Sequence, residues 1–244
     1  MLRTKRLSET LQSKYVSALG ALAVIALAAG AGPAKADIMF GNFTGAGCSA
    51  AGANFTCPNP QTFNNGTDNI IANGFGGAPG VGATALTIKP FAANGFMESG
   101  LGENATAAPP CTNPECEIGV PTSVTAVDTT TGITDAIIGS LQAGETFNFF
   151  VQTTAGGAFT QLGSTLTNAC NTAPGFSVGP VADTCLWNAP AGTSRTGIAV
   201  QAVTGDETLI SVSTTTPAVP EPASLALLGA GLAGLGLVWR RRKV

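Results

Sequence analysis

The last twenty-six residues constrain this chain most, because three physically different pieces abut there. Val219-Pro220-Glu221-Pro222 sets two prolines around a glutamate, a combination that opposes regular helix and favours extended, accessible backbone. Ala223 to Trp239 then runs 17 residues without a charge. At ~1.5 Å per residue such a helix spans ~25 Å, enough for a thin bilayer. Arg240, Arg241, Arg242 and Lys243 follow, and clustered cations beside an apolar span stay on the cytoplasmic side. Whatever precedes this tail is expected to fold outside the membrane, tethered by a C-terminal transmembrane helix.

The Pro-Glu-Pro, the apolar Gly/Ala/Leu span and the terminal Arg cluster together resemble the PEP-CTERM sorting signal of exopolysaccharide-producing bacteria. The resemblance covers residues 219–244. It implies that an exosortase, a membrane-embedded cysteine transpeptidase-like enzyme, cuts near Pro220-Glu221-Pro222. It implies nothing about the body.

The N-terminus carries a second apolar segment. Arg3, Lys5, Arg6 and Lys14 precede a run from Val16 to Ala31, too short for a comfortable span. Ala34 and Ala36 then supply the small residues that signal peptidase requires, which puts the expected cut before Asp37. Four parts follow: a signal peptide at 1–36, an exported β-rich domain at 37–210, a Ser/Thr/Pro linker at 211–218, and the sorting signal at 219–244.

Without its two ends the chain has a different charge. Between Asp37 and Ala218 the cations are Lys89 and Arg195, against twelve acids, a net −10 where the whole chain carries −3. That surface repels nucleic acid and anionic headgroups, so no nucleic-acid partner is expected. Neutral sugars remain compatible, and extracellular polysaccharide is the further partner expected. All six cysteines fall in the exported part. An even count in an oxidising compartment argues for disulfides, and spacing favours Cys48–Cys57, Cys111–Cys116 and Cys170–Cys185.

Composition points to sheet. Nothing between Asp37 and Ala218 sustains a 3.6-residue period, and β-branched residues mix with Gly and Asn. Thr146 to Gln152 alternates most clearly, with Phe147, Phe149 and Val151 on one face. Thr122–Val127, Ile133–Leu141 and Phe159–Leu166 are further candidates. Ala85–Lys89, stopped by Pro90, reads as an edge strand. Residues 37–80 are expected to hold one or two strands, and 94–114 an irregular crossing. Arg195–Val203 and Glu207–Thr215 read as a hairpin across Thr204-Gly205-Asp206. The expected fold is mainly β, an antiparallel β-sandwich or jelly-roll-like domain with long loops. Trp187, two residues from Cys185, is expected in the core.

Histidine is absent, which excludes Ser-His-Asp and Cys-His catalysis and His-ligated metals. No catalytic, cofactor-binding or metal-ligating residue is expected. Glu115, Glu117, Asp206 and Glu207 lie in loop-like sequence and read as solvated acids. Three functions stay open: a non-enzymatic surface or matrix protein, a carbohydrate-binding module, and a carboxylate-dependent glycan hydrolase.

Overall fold

The computed structural model describes residues 35–42, 47–51, 54–64, 68–104, 116–128, 130–170, 173–191 and 193–215. The expected leader up to Ala34, the sorting signal at 219–244 and Cys111 lie outside the described residues. Nearly everything described is strand. The first half holds β1 (Lys35–Met39), β2 (Ser49–Ala51), β3 (Asn54–Cys57), β4 (Gln61–Asn64), β5 (Asn69–Phe75), β6 (Ala83–Lys89) and β7 (Gly100–Asn104). The second holds β8 (Ser123–Asp128), β9 (Ile133–Gly139), β10 (Thr146–Gln152), β11 (Thr160–Gln161), β12 (Leu166–Thr167), β13 (Phe176–Val178), β14 (Cys185–Asn188), β15 (Gly197–Thr204) and β16 (Thr208–Thr215). A 3-10 turn at Phe40–Asn42 and a single-turn helix α1 (Phe91–Asn94) interrupt them. Among the described residues no helix is long and apolar enough to cross a membrane.

Every strand pairing is antiparallel, and the strands form one curled sheet in the order β11-β10-β15-β8-β5-β6-β7-β16-β9-β14-β13. The curl turns at β6. Its first residues, Ala83 and Thr84, pair with β5, while Ala85–Lys89 pair with β7. The chain crosses between the two halves again at Thr204-Gly205-Asp206, where Gly205 takes φ 86°, a conformation that costs glycine little.

Alternation explains the core. In β10 the odd residues Phe147, Phe149 and Val151 point inward and are buried. They meet Ile138 from β9, Val212 from β16 and Trp187 from β14 in one apolar cluster. Phe149 and Trp187 bring the two halves together with ring centroids 5.0 Å apart. Phe176 packs edge-on to Phe149 at 5.0 Å. Burying each such side chain contributes ~1.5–3 kcal/mol.

Several expectations need correction. β15 and β16 do not form a hairpin: β15 pairs with β8 and β10, and β16 with β9, β7 and β1. The turn between them is the corner that carries the chain from one half of the sheet to the other. Nor is β6 an edge, since β3 and β7 flank it; Pro90 ends the strand without exposing it. The stretch expected as linker is strand as far as Thr215, because β1 and β9 both pair with its hydroxyl-rich residues. Residues 37–80 hold four strands beyond β1, and β7 lies inside the expected irregular crossing.

Two of the expected disulfides are present, Cys48–Cys57 and Cys170–Cys185. Cys116 is also disulfide-bonded.

Candidate ligand groove, buried acids and sorting tail

Four neighbouring strands, β1, β16, β9 and β14, set two rows of side chains in register on the face turned away from the core. The polar row is Asp37, Ser213, Asp135 and Asn188, each directly paired with the next across the strands. One pleat along lies the second row: Met39, Ser211, Ile137 and Leu186. The residues between them, Ile38, Val212, Ala136 and Trp187, point into the core. Register shifts in β16 fall between Leu209 and Ser211 and between Ser213 and Thr214. These irregularities bracket the two serines and keep both on the outer face, as bulges re-aim side chains.

Together with Phe96, from the turn after α1, the rows line a groove of about 380 Å³. With strands ~4.8 Å apart, four paired residues span roughly 14 Å. Ser213 Oγ donates to Asp37 Oδ1 at 2.6 Å, which orients one carboxylate. Thr134 Oγ1 donates to the Ser213 carbonyl at 3.2 Å and ties β9 to β16 beside it.

A second cluster of acids gathers around a buried lysine, with Glu117 buried and Glu98 partly exposed. Lys89, buried at the end of β6, donates to Glu98 Oε2 at 3.2 Å and to Glu117 Oε1. Ser140 Oγ also donates to Glu98 Oε2, at 3.2 Å. Burial pushes the Glu117 carboxyl up to about 7, against the hydrogen bond and positive charge of Lys89. Burial also raises Glu98, but a hydrogen bond from Glu117 and the charge of Lys89 outweigh it and leave that carboxyl below its usual range. The segment bearing Glu117 packs on β7, where a Cβ at Gly102 would lie 1.9 Å from the Cys116 carbonyl oxygen.

Glu207 stands at the same place from the other side. Ile118 N donates to the Glu207 carbonyl at 2.6 Å, and Glu207 N donates to the Ile118 carbonyl at 3.2 Å. The Glu207 side chain is fully buried, with no hydrogen-bond partner on either carboxyl oxygen among the described residues. Burial, then the negative charges of Glu145, Asp206 and Glu117, push it up to about 9. At neutral pH it is a protonated acid.

This corrects the reading of Glu117 and Glu207 as solvated loop acids. The two sit ninety positions apart in sequence, and the bridge at Ile118 joins them. No local signal around either residue announces that partner. Glu115 lies outside the described residues. The groove was missed for a related reason: its residues come from the two ends and the middle of the body. Asp37 was expected as the residue after the cut and as one of the twelve acids, not as part of a site. Among the described residues, no group of three or more Cys, Asp or Glu is arranged to hold a metal ion.

A curled antiparallel body stapled by disulfides, followed by an apolar and basic tail, defines the class: an exported protein whose handling is written in its C-terminus. The model of one protein family, described as the PEP-CTERM protein-sorting motif, matches residues 218–243. The chain carries that motif, which marks an exported protein anchored in a membrane and then processed by an exosortase-type enzyme. No curated protein and no solved structure matches the chain.

Proposed function

We propose that the chain is a non-enzymatic protein of the bacterial cell surface or extracellular matrix, exported by a cleaved leader and associated with exopolysaccharide or biofilm. The observation that carries this reading is the sorting motif at 218–243, which begins three residues after the last paired residue of β16. In this reading residues 223–239 hold the body at the membrane until processing frees or re-anchors it. The curled sheet then serves as a rigid, jelly-roll-like sandwich for display outside the cell. Lys89 is buried, and of the charged residues left at least partly exposed in the described body Asp37, Glu98, Glu145, Asp183 and Asp206 are acidic against Arg195, so the described surface is net negative. That favours solubility and contact with uncharged partners over anionic ones.

A second reading, a carbohydrate-binding module, is favoured by the groove across β1, β16, β9 and β14. The buried acids favour a structural over a catalytic role for Glu117 and Glu207, because a substrate has no path to side chains 6% and 0% exposed.

Epitope tags placed in an exposed body loop and after Val244 test the main reading. The body tag should appear at the surface or in the medium without the C-terminal tag. Both tags persisting together in inner-membrane fractions would overturn it.

A further inference from the structure

We propose that the groove across β1, β16, β9 and β14 binds an extended, uncharged glycan chain laid across the strands. The inference rests on the exported, surface-associated reading only in so far as that reading sets the groove among polysaccharides. Its geometry stands independently.

The polar row sets two carboxylates, a hydroxyl and an amide at the repeat of the sheet, with Asp37 and Asn188 exposed at its ends and Ser213, donating to Asp37, and Asp135 buried between them. Carboxylates accept hydrogen bonds from neighbouring hydroxyls on one sugar, and hydrogen bonds to an ionised acceptor are the stronger kind. The ~4.8 Å strand spacing approximates the length of one pyranose unit in an extended chain, so successive sugars would meet successive strands. One pleat away, Met39, Ile137 and Leu186 offer apolar contact to the C–H face of the same sugars, and Phe96 lines the groove with them. Polar groups that orient a ligand beside an apolar surface are the usual make-up of a small-molecule site.

The occupant's charge follows from the body. With Asp37 and Asp135 in the groove and Glu98, Glu145, Asp183 and Asp206 against Arg195 elsewhere on the described surface, a uronate or sulfated polymer would be repelled. Strand addition of a peptide within the groove is disfavoured, since β16, β9 and β14 are each flanked by a paired strand on both sides and only the outer edge of β1 is left without one among the described residues. All four strands are anchored in the core through the buried Ile38, Val212, Ala136 and Trp187.

The test uses the full-length chain in mild detergent, titrated calorimetrically with cellohexaose, laminarihexaose, maltohexaose and chitohexaose, with an alginate hexamer and a lysine hexapeptide as the charged arms. At least one neutral hexaose should bind and the alginate should not. Asp37→Asn and Asn188→Ala should each weaken that binding about tenfold or more. Asp183→Asn, a charge-matched change on a separate exposed turn, should leave it unchanged. Each variant is first checked for an unchanged thermal midpoint, and Asn188, exposed at the end of β14, is the change least able to disturb folding. Failure of every neutral hexaose to bind, equal binding by the groove variants, or preference for the lysine peptide would overturn the proposal. Cleavage of a bound hexaose would uphold the groove as the glycan site while overturning the non-enzymatic reading. Loss of tail processing, measured separately with the tags, bears on sorting alone.

Discussion

Ser213 Oγ donates to Asp37 Oδ1 at 2.6 Å, joining the last strand of the body to the first across 176 positions of sequence. Around that bond β1 and β16 pair from Lys35↔Thr215 to Met39↔Ser211. The first described residue of β1 and the last of β16 are therefore direct strand partners. A cut before Asp37 would remove Lys35 and Ala36 from the pairing and leave Asp37, Ile38 and Met39 in place. Ser213→Ala removes the bond but keeps the strand. It should lower stability by about 1 kcal/mol, read as a shift in the urea midpoint with unchanged slope. No shift would mean that the bond exchanges freely with water and does not fasten β1.

Glu207 should make the body sensitive to alkali. Its carboxyl ordinarily titrates near 4.5 and is raised to about 9 in the folded chain. Between those values the folded state keeps a proton that the unfolded chain has lost. The stability linked to this group is fully present below about 4.5 and is lost as pH rises through about 9. Glu207→Gln should match the natural chain at the acidic end and exceed it near the alkaline end by on the order of a few kcal/mol. Unfolding midpoints across that window check this. A variant that tracked the natural chain throughout would show that Glu207 reaches water when it ionises.

Lys89 and Glu117 form a buried pair, with Lys89 2% and Glu117 6% exposed. Lys89→Met strands the acid without its cation, and breaking a buried pair costs ~3–5 kcal/mol. Lys89→Met combined with Glu117→Leu removes both charges and should recover most of that loss. Urea unfolding of the two variants gives the comparison. If the double change were as damaging as the single one, packing of the Lys89 stem would matter more than its charge.

Local pattern made the second half of the sheet legible. Thr146–Gln152 and Ile133–Gly139 alternate or carry β-branched residues, and they are β10 and β9; Trp187 is buried beside Phe149 as its neighbouring cysteine suggested. Asn69–Phe75 and Gly100–Asn104 are strands too, yet Gly, Ala and Asn dominate them. Those residues have weak strand propensity and are held by pairing with β8 and β6. Partner choice was the least legible part. Thr204-Gly205-Asp206 has hairpin chemistry, but Ile118 pairs with Glu207 just past it and diverts β16 to the other half of the sheet. The groove depends on the same long-range pairing, so no stretch of sequence contains it. The sorting motif at 218–243 was legible because its three pieces are contiguous and each has its own physics.

Glu221 tests the sorting reading most directly. In that reading Pro220, Glu221 and Pro222 form the recognised element. The apolar span positions it at the outer face, and Arg240 to Lys243 keep the helix from sliding outward. The decisive measurement is the size and location of the body-tagged chain in cells carrying Glu221→Ala, beside the natural chain and one with Arg240 to Lys243 neutralised. Glu221→Ala should export normally and accumulate uncut in the membrane, whereas the neutralised tail should release uncut protein. Normal processing of Glu221→Ala would contradict the reading and leave the Pro-Glu-Pro as a stiff linker before a plain membrane anchor.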